Sequence, residues 1–387
     1  MATYKTKKYI VPTEVVEHTD SINALADVDT STASPTEGQT IKWDGTNWVP
    51  ANIEPFVSGV QKAIFGFGSV SNSYKNVTNL VSSTGIVATD TTGVGSARFR
   101  LAAAGYGGDK AIFGFGSTGG NSNLTSITNL VSNAGVVATD TTGVGSARQR
   151  LSAASYGGDK ALFGFGYGEG TGFPGDTRPD LTSITNLVSN AGVVASDTTG
   201  VGTARTHSAA AKYGSGKAIF GFGSTDSGYI SVTNLVSNTG VVASDTTGVG
   251  VKRFNLAAAG YGGDKAIFAF GGQSAPKTTF NSYSNSFSTN NYYSDQTSDT
   301  ICLVSNTGVV ASDTNGVGTA RSDPAAAGYG GDKAIFGFGE ARGGVYSIQT
   351  INNFTNLVSN TGVIASHSYG VGAARSSLAA ASYSTTA

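Results

Sequence analysis

The chain has one cysteine, one methionine and two tryptophans among 387 residues, and only 13% of its residues are charged. The single cysteine, Cys302, excludes an intrachain disulfide and a zinc site built on paired thiolates. It stands where other copies of the same segment carry Asn, in ICLVSN against TNLVSN, and is expected to be a small buried side chain without redox chemistry. An average soluble protein has roughly 25% charged residues, so here the polar load falls on Ser, Thr, Asn and the 55 glycines. Net charge is −1 and the repeats hold no Lys/Arg cluster; counterion release, which drives binding to a phosphate backbone, has little to act on, and no nucleic-acid partner is expected. No run reaches the ~18 apolar residues of a membrane span, and MATYKTKKYIVPTEVVEHTD lacks a signal-peptide core. The expectation is synthesis in a cytoplasm as a soluble chain without membrane insertion, which leaves open an extracellular working place, because a particle released by lysis needs no secretion signal. The 3.6-residue apolar period of a helix is missing too, and Val, Ile, Phe, Thr and Gly are abundant, so the chain is expected to be all-β.

What is present is repetition. A Gly-rich apolar run returns at Lys62, Lys110, Lys160, Lys217, Lys265 and Lys333, with successive starts 48, 50, 57, 48 and 68 residues apart. Periods of this length signal stacked blades or coils. In the copy from Leu101 to Arg148, LAAAGY leads through a GGD turn into KAIFGFG, and TNLVS leads through Asn133-Ala134-Gly135 into VVATDT. Two hairpins per copy predict four short strands, which suits a β-propeller blade. Alanine-rich LAAAGY is expected to be the innermost strand, and Gly114 and Gly116 to permit close approach between blades beside Phe113 and Phe115. The first copy lacks a preceding LAAAGY and the last ends in LAAASY, so the last strand is expected to complete the first blade and remove exposed edges. The expected organisation is an N-terminal segment, 1–55, and a six-bladed propeller, 56–387.

The order of Arg, an Ala-rich strand, a Gly turn and an apolar strand ending in Gly, as in RFRLAAAGYGGDKAIFGFG, resembles the kelch repeat. It differs in that only Gly271-Gly272 forms the paired glycines and no repeat contains Trp. The resemblance implies a kelch-like propeller that binds partners through its inter-strand loops, with oxidases a minority of the class.

One Arg precedes each inner strand: Arg98, Arg148, Arg205, Arg253, Arg321 and Arg375. Asp90, Asp140, Asp197, Asp245 and Asp313 occupy the preceding turn in five copies, and His367 in the sixth. A catalytic residue is needed once, whereas a contact between blades is needed at every interface; these residues are expected to be structural. Past residue 55 the only glutamates are Glu169 and Glu340, both in inserts, and the only histidines are His207 and His367, in different copies. Glycoside hydrolysis needs paired carboxylates, and imidazole-bound copper or zinc needs more histidines. No catalytic site, metal or cofactor is expected.

The inserts all leave at the junction after the KAIFGFG run and are expected to gather on one face. Their Tyr, Asn, Ser and Gly content is that of adaptable recognition loops. The longest, Gln273 to Asp299, is expected to be a loop presenting Phe280, Tyr283, Phe287, Tyr292 and Tyr293; Tyr167, Phe173, Tyr229 and Tyr346 belong to other inserts. Aromatic faces among amides and hydroxyls suit sugar rings. A glycan or receptor contact, a contact with another protein, and no specific partner all stay open.

In TIKWDGTNWVPA, Trp43 and Trp48 flank a turn and predict a hairpin. A segment this short holds no core of its own, so it is expected to order against a partner or a second copy of itself. The stretch LADVDTS…PTEGQTIKWDGTNWVPA resembles a module of bacteriophage tail fibres and other appendages, and TNLVSNTGVVASDTTGVG resembles structural proteins of tailed phages that infect cyanobacteria. This resemblance implies a virion protein on the particle exterior, attached to other virion proteins through residues 1–55, with a homo-oligomer possible. Its propeller would meet host surface or neighbouring virion proteins. The alternatives are a propeller enzyme acting on host surface polysaccharide and a free cytoplasmic scaffold of kelch type.

Overall fold

A computed structural model describes residues 39–43, 48–52, 60–120, 123–168, 180–281, 286–343 and 348–385. Among these, every regular element is a β-strand and the sheets are small and antiparallel. The chain divides into two compact units, Met1–Val57 and Ser58–Ala387. In the first, Gln39–Trp43 pairs with Trp48–Asn52, and Trp43 lies directly opposite Trp48.

The second unit holds six equivalent three-stranded sheets. In the second sheet, taken as the type, Ala102–Tyr106 pairs with Lys110–Gly114, which pairs with Thr128–Val131. Its counterparts are Ser152–Tyr156, Lys160–Gly164 and Thr185–Val188; Ala209–Tyr213, Lys217–Thr225 and Gly228–Val236; Ala257–Tyr261, Lys265–Ala269 and Ile301–Val304; and Ala325–Tyr329, Lys333–Gly337 and Thr355–Val358. The first sheet is assembled from both ends of the unit: Ala379–Thr385 pairs with Val60–Gly66, which pairs with Thr78–Val81.

Middle strands are buried on both faces, which is why they read as unbroken apolar runs. Each sheet packs on the next through edge-to-face or tilted phenylalanines: Phe67 on Phe113, Phe115 on Phe163, Phe165 on Phe220, Phe222 on Phe268 and Phe270 on Phe336. Phe338 then packs on Phe65 of the first sheet. Glycine makes the approach possible. A Cβ on Gly114 would lie 2.7 Å from Cζ of the fully buried Phe163. The Ala-rich strands of all six sheets line one narrow cavity of about 70 Å³, with Lys212 the one long side chain among small ones.

The fourth strand expected in each copy is not a strand. The segment after Asn133-Ala134-Gly135 touches its neighbour only at the isolated pairs Val131–Val137 and Thr128–Thr141. Between them the Asn129 side chain takes over, its Nδ2 donating to Ala138 O and Asp140 Oδ1. The backbone there turns to deliver Asp140 instead of continuing the ladder.

Gln273–Asp299 is likewise no open loop. Gly272–Asn281 and Ser286–Thr297 form a long antiparallel hairpin in which Phe280 is opposite Phe287.

Candidate binding site

The six frame arginines are fully buried between sheets. Arg98 lies over the Phe67 ring of the first sheet, 4.3 Å from its centroid. From there its Nε donates to Phe115 O (2.9 Å) and its Nη2 to Asn129 Oδ1 (2.6 Å), both in the next copy. Its Nη1 stands 3.8 Å from Asp140 Oδ1, and Asp140 also accepts from the Ser96 amide and hydroxyl. Corresponding ion pairs join Arg148 to Asp197, Arg205 to Asp245, Arg253 to Asp313 and Arg375 to Asp90. Burial lowers the pKa of Arg98, Arg148, Arg205 and Arg375 to about 10, with the aspartate pulling the other way. Burial also pushes the Asp140 carboxyl up, but the bonds from Ser96 and Asn129 and the charge of Arg98 outweigh it, leaving its pKa below the ordinary value.

Sequence reasoning found the Arg and Asp and missed the Asn between them, which repeats in the TNLV run at Asn79, Asn129, Asn186, Asn234 and Asn356. Cys302 occupies that place in the fifth sheet. It is fully buried, Arg253 Nη2 lies 2.8 Å from its Sγ, and the thiol donates to Asp313. Burial pushes its pKa up to about 12, so it stays protonated.

The sixth interface differs. His367 replaces the aspartate and stacks on Phe354, 4.6 Å between centroids. Arg321 Nε and Nη2 and Asn356 Oδ1 are buried without hydrogen-bond partners. Burial takes Arg321 down to about 9 with no carboxylate opposing it.

Two residues beyond each frame arginine stands Arg100, Arg150, His207, Asn255, Asp323 or Ser377. All six have left-handed φ angles between 51° and 57°, a conformation costly for residues other than glycine and associated with functional sites. Their backbones form one circuit. Arg150 N donates to Arg100 O (2.8 Å), His207 N to Arg150 O (3.0 Å), Asn255 N to His207 O (3.1 Å), Asp323 N to Asn255 O (2.9 Å), Ser377 N to Asp323 O (3.3 Å) and Arg100 N to Ser377 O (2.8 Å). The frame is constant and the side chains are not. One column of the repeat changes its chemistry almost copy by copy, a signal that aligning the copies would have exposed.

These six residues form the floor of a cavity of about 810 Å³ whose walls come from the inserts and from residues beside the frame arginines, such as Phe99 and Phe254. Tyr229 stacks on Phe254, 4.2 Å between centroids, and both line it; Phe99 lines it too, stacked on Tyr74 at 4.6 Å. The Arg100 guanidinium lies over the Phe99 ring and that of Arg150 over Tyr167. Asp323 accepts from Asn255 Nδ2 (2.8 Å) and Ser377 Oγ (3.2 Å). Burial and then the charge of Glu340 push Asp323 up to about 6, against the pull of Arg150 and Arg100. Burial, together with Arg150 and Arg100, drives His207 well below the usual histidine value, so its imidazole is neutral. Arg150 Nε and His207 Nδ1 are buried without hydrogen-bond partners.

Of the aromatic residues expected to bind, Tyr229 lines this cavity. Tyr167 is buried; its hydroxyl accepts from Gln149 and its ring supports Arg150, so it backs the floor and presents no surface for a ligand to stack on. Phe280, Phe287, Tyr292 and Tyr293 lie on the long hairpin. Tyr283, Phe173 and Tyr346 lie outside the described residues. Among the described residues no three His, Cys, Asp or Glu side chains gather as metal ligands, and no helix is long and apolar enough to cross a membrane. No family model and no curated protein matches the chain; its functional reading rests on its own residues.

Proposed function

We propose that the six sheets are blades of a closed, six-bladed, kelch-like β-propeller and that the chain is a non-enzymatic structural and adhesion protein of a phage particle. In this reading residues 1–55 attach it to other virion proteins, singly or as a homo-oligomer, on the particle exterior. The insert-lined mouth meets a host surface glycan or a neighbouring virion protein.

The observation that carries the binding role is the circuit of backbone bonds through Arg100, Arg150, His207, Asn255, Asp323 and Ser377. At these six positions the backbone holds still while the side chain changes between Arg, His, Asn, Asp and Ser, and a concave site needs different polar groups converging on one point. The cyclic succession of phenylalanine contacts and the pairing of Ala379–Thr385 with Val60–Gly66 support the closed ring. The resemblance of the N-terminal stretch to phage appendage modules supports the virion assignment.

Mass spectrometry of purified particles should detect the chain, and purified protein should slow adsorption of those particles to host cells, less so when residues 278–299 are deleted. Absence from the particles would overturn the virion assignment; adsorption unaffected by saturating protein would overturn the adhesion role. One observation favours the enzyme alternative: Asp323 and Glu340, two carboxylates held in different environments, share the cavity. Release of soluble carbohydrate from host envelope by the purified protein, abolished in D323N, would replace the adhesion reading with that one.

A further inference from the structure

We infer that the cavity above the six-residue floor is a subsite for an acidic sugar, a monosaccharide unit carrying one carboxylate, with Arg100 and Arg150 receiving the carboxylate. The inference rests on the mouth being a ligand site, as proposed above, and adds the chemical class of the ligand.

Three features of the cavity select this class. The first is its cationic side. Arg100 and Arg150 are neighbours in the circuit, and their like charges oppose one another: burial and then the charge of Arg100 lower the pKa of Arg150. Arg150 Nε has no partner, and neither does His207 Nδ1 on the next residue of the floor. Buried donors left open are costly, and a carboxylate seated between the guanidiniums would satisfy the arginine and offset the repulsion; guanidinium matches carboxylate geometry with parallel bonds.

The second is the opposite side. Asp323 lies three places round the circuit from Arg150 and, with Asn255 and Ser377, supplies acceptors and donors suited to hydroxyl groups. Asp323 and Glu340 there would repel a second negative charge, so a phosphate dianion or a polyanion fits less well than a single carboxylate on a hydroxyl-rich body. The third is the wall. Tyr229 and Phe254, stacked on one another, offer aromatic surface to the apolar face of a sugar ring, and about 810 Å³ is room for a saccharide unit or two.

The test is a titration of the full chain with D-glucuronate and D-galacturonate, with D-glucose and inorganic phosphate as comparisons, followed by calorimetry or by ligand-observed NMR. A uronate should bind at least about tenfold more tightly than glucose and than phosphate. R100Q and R150Q should each weaken it by about tenfold to a hundredfold, the effect of removing one charged hydrogen-bonding partner. Melting curves within a few degrees of the parent chain would show that these variants fold; if either does not, the comparison of uronate with glucose on the unaltered chain decides alone. Glucose bound as well as uronate, phosphate bound as well as uronate, or no uronate binding at millimolar concentration would each overturn the inference. Adsorption competition and detection in particles do not depend on this subsite, so its failure is distinguishable from failure of the adhesion reading.

Discussion

At the residue scale, the repeat keeps glycine where a ring from the next sheet must pass. Phe163 is completely buried and its Cζ leaves no space for a Cβ on Gly114. Valine there adds three carbons to a filled interface, and overpacking of this kind costs about 1–3 kcal/mol. G114V should lower the thermal midpoint by several degrees; an unchanged midpoint in a melting curve would contradict the packing of Gly114 on Phe163. The motif KAIFGFG announced a buried strand, and its glycines announced close approach, because steric demand at a packed position is written in the residue itself. The identity of the ring that does the approaching was not legible, since Phe163 lies 49 positions away from Gly114 by residue number.

At the element scale, the outer segment of each copy is a delivery arm more than a strand. It gives up its ladder after Val137 so that Asp140 can meet Arg98 from the preceding copy, with Asn129 between them. The pairing of Arg with Asp could be surmised from their equal repetition; the Asn could not, because a polar residue inside TNLV looks like an ordinary strand position until its side chain is seen to replace a backbone bond. Where the arm carries His367 in place of Asp, Arg321 keeps two nitrogens without partners. H367D should therefore stabilise the fold: a hydrogen-bonded charge partner for a buried cation is worth about 1.5–3 kcal/mol, more than the ring stacking on Phe354 that is given up, about 0.5–1.5 kcal/mol. The expected result is a higher thermal midpoint by about 2–4 °C, read by calorimetry; a fall would mean that the His367–Phe354 stack holds this interface.

At the scale of the whole molecule, the two ends of the second unit meet in one sheet. Ala379–Thr385 pairs residue for residue with Val60–Gly66, from Ala379 opposite Gly66 to Thr385 opposite Val60. Deleting residues 379–387 would strip the inner strand from the first sheet, expose an apolar edge and break the circuit's neighbourhood at Ser377. The truncated chain should lose its single cooperative melting transition and aggregate on size-exclusion chromatography, since an unpaired apolar edge templates association; a monodisperse, cooperatively melting product would show that this strand is dispensable.

The sequence by itself determined the all-β class, the six copies, the joining of first and last strands, and the split between constant frame and changing inserts. Each of these follows from local periodicity and from repetition, which a linear chain displays directly. Only the tertiary structure decided that the outer segments are not strands, that the long insert is a hairpin, and that Arg100, Arg150, His207, Asn255, Asp323 and Ser377 share one floor. Those six residues are spread from position 100 to position 377, and no local rule joins them. They meet because each stands at the same point of a repeated frame, and the frame brings that point, copy after copy, to the same cavity.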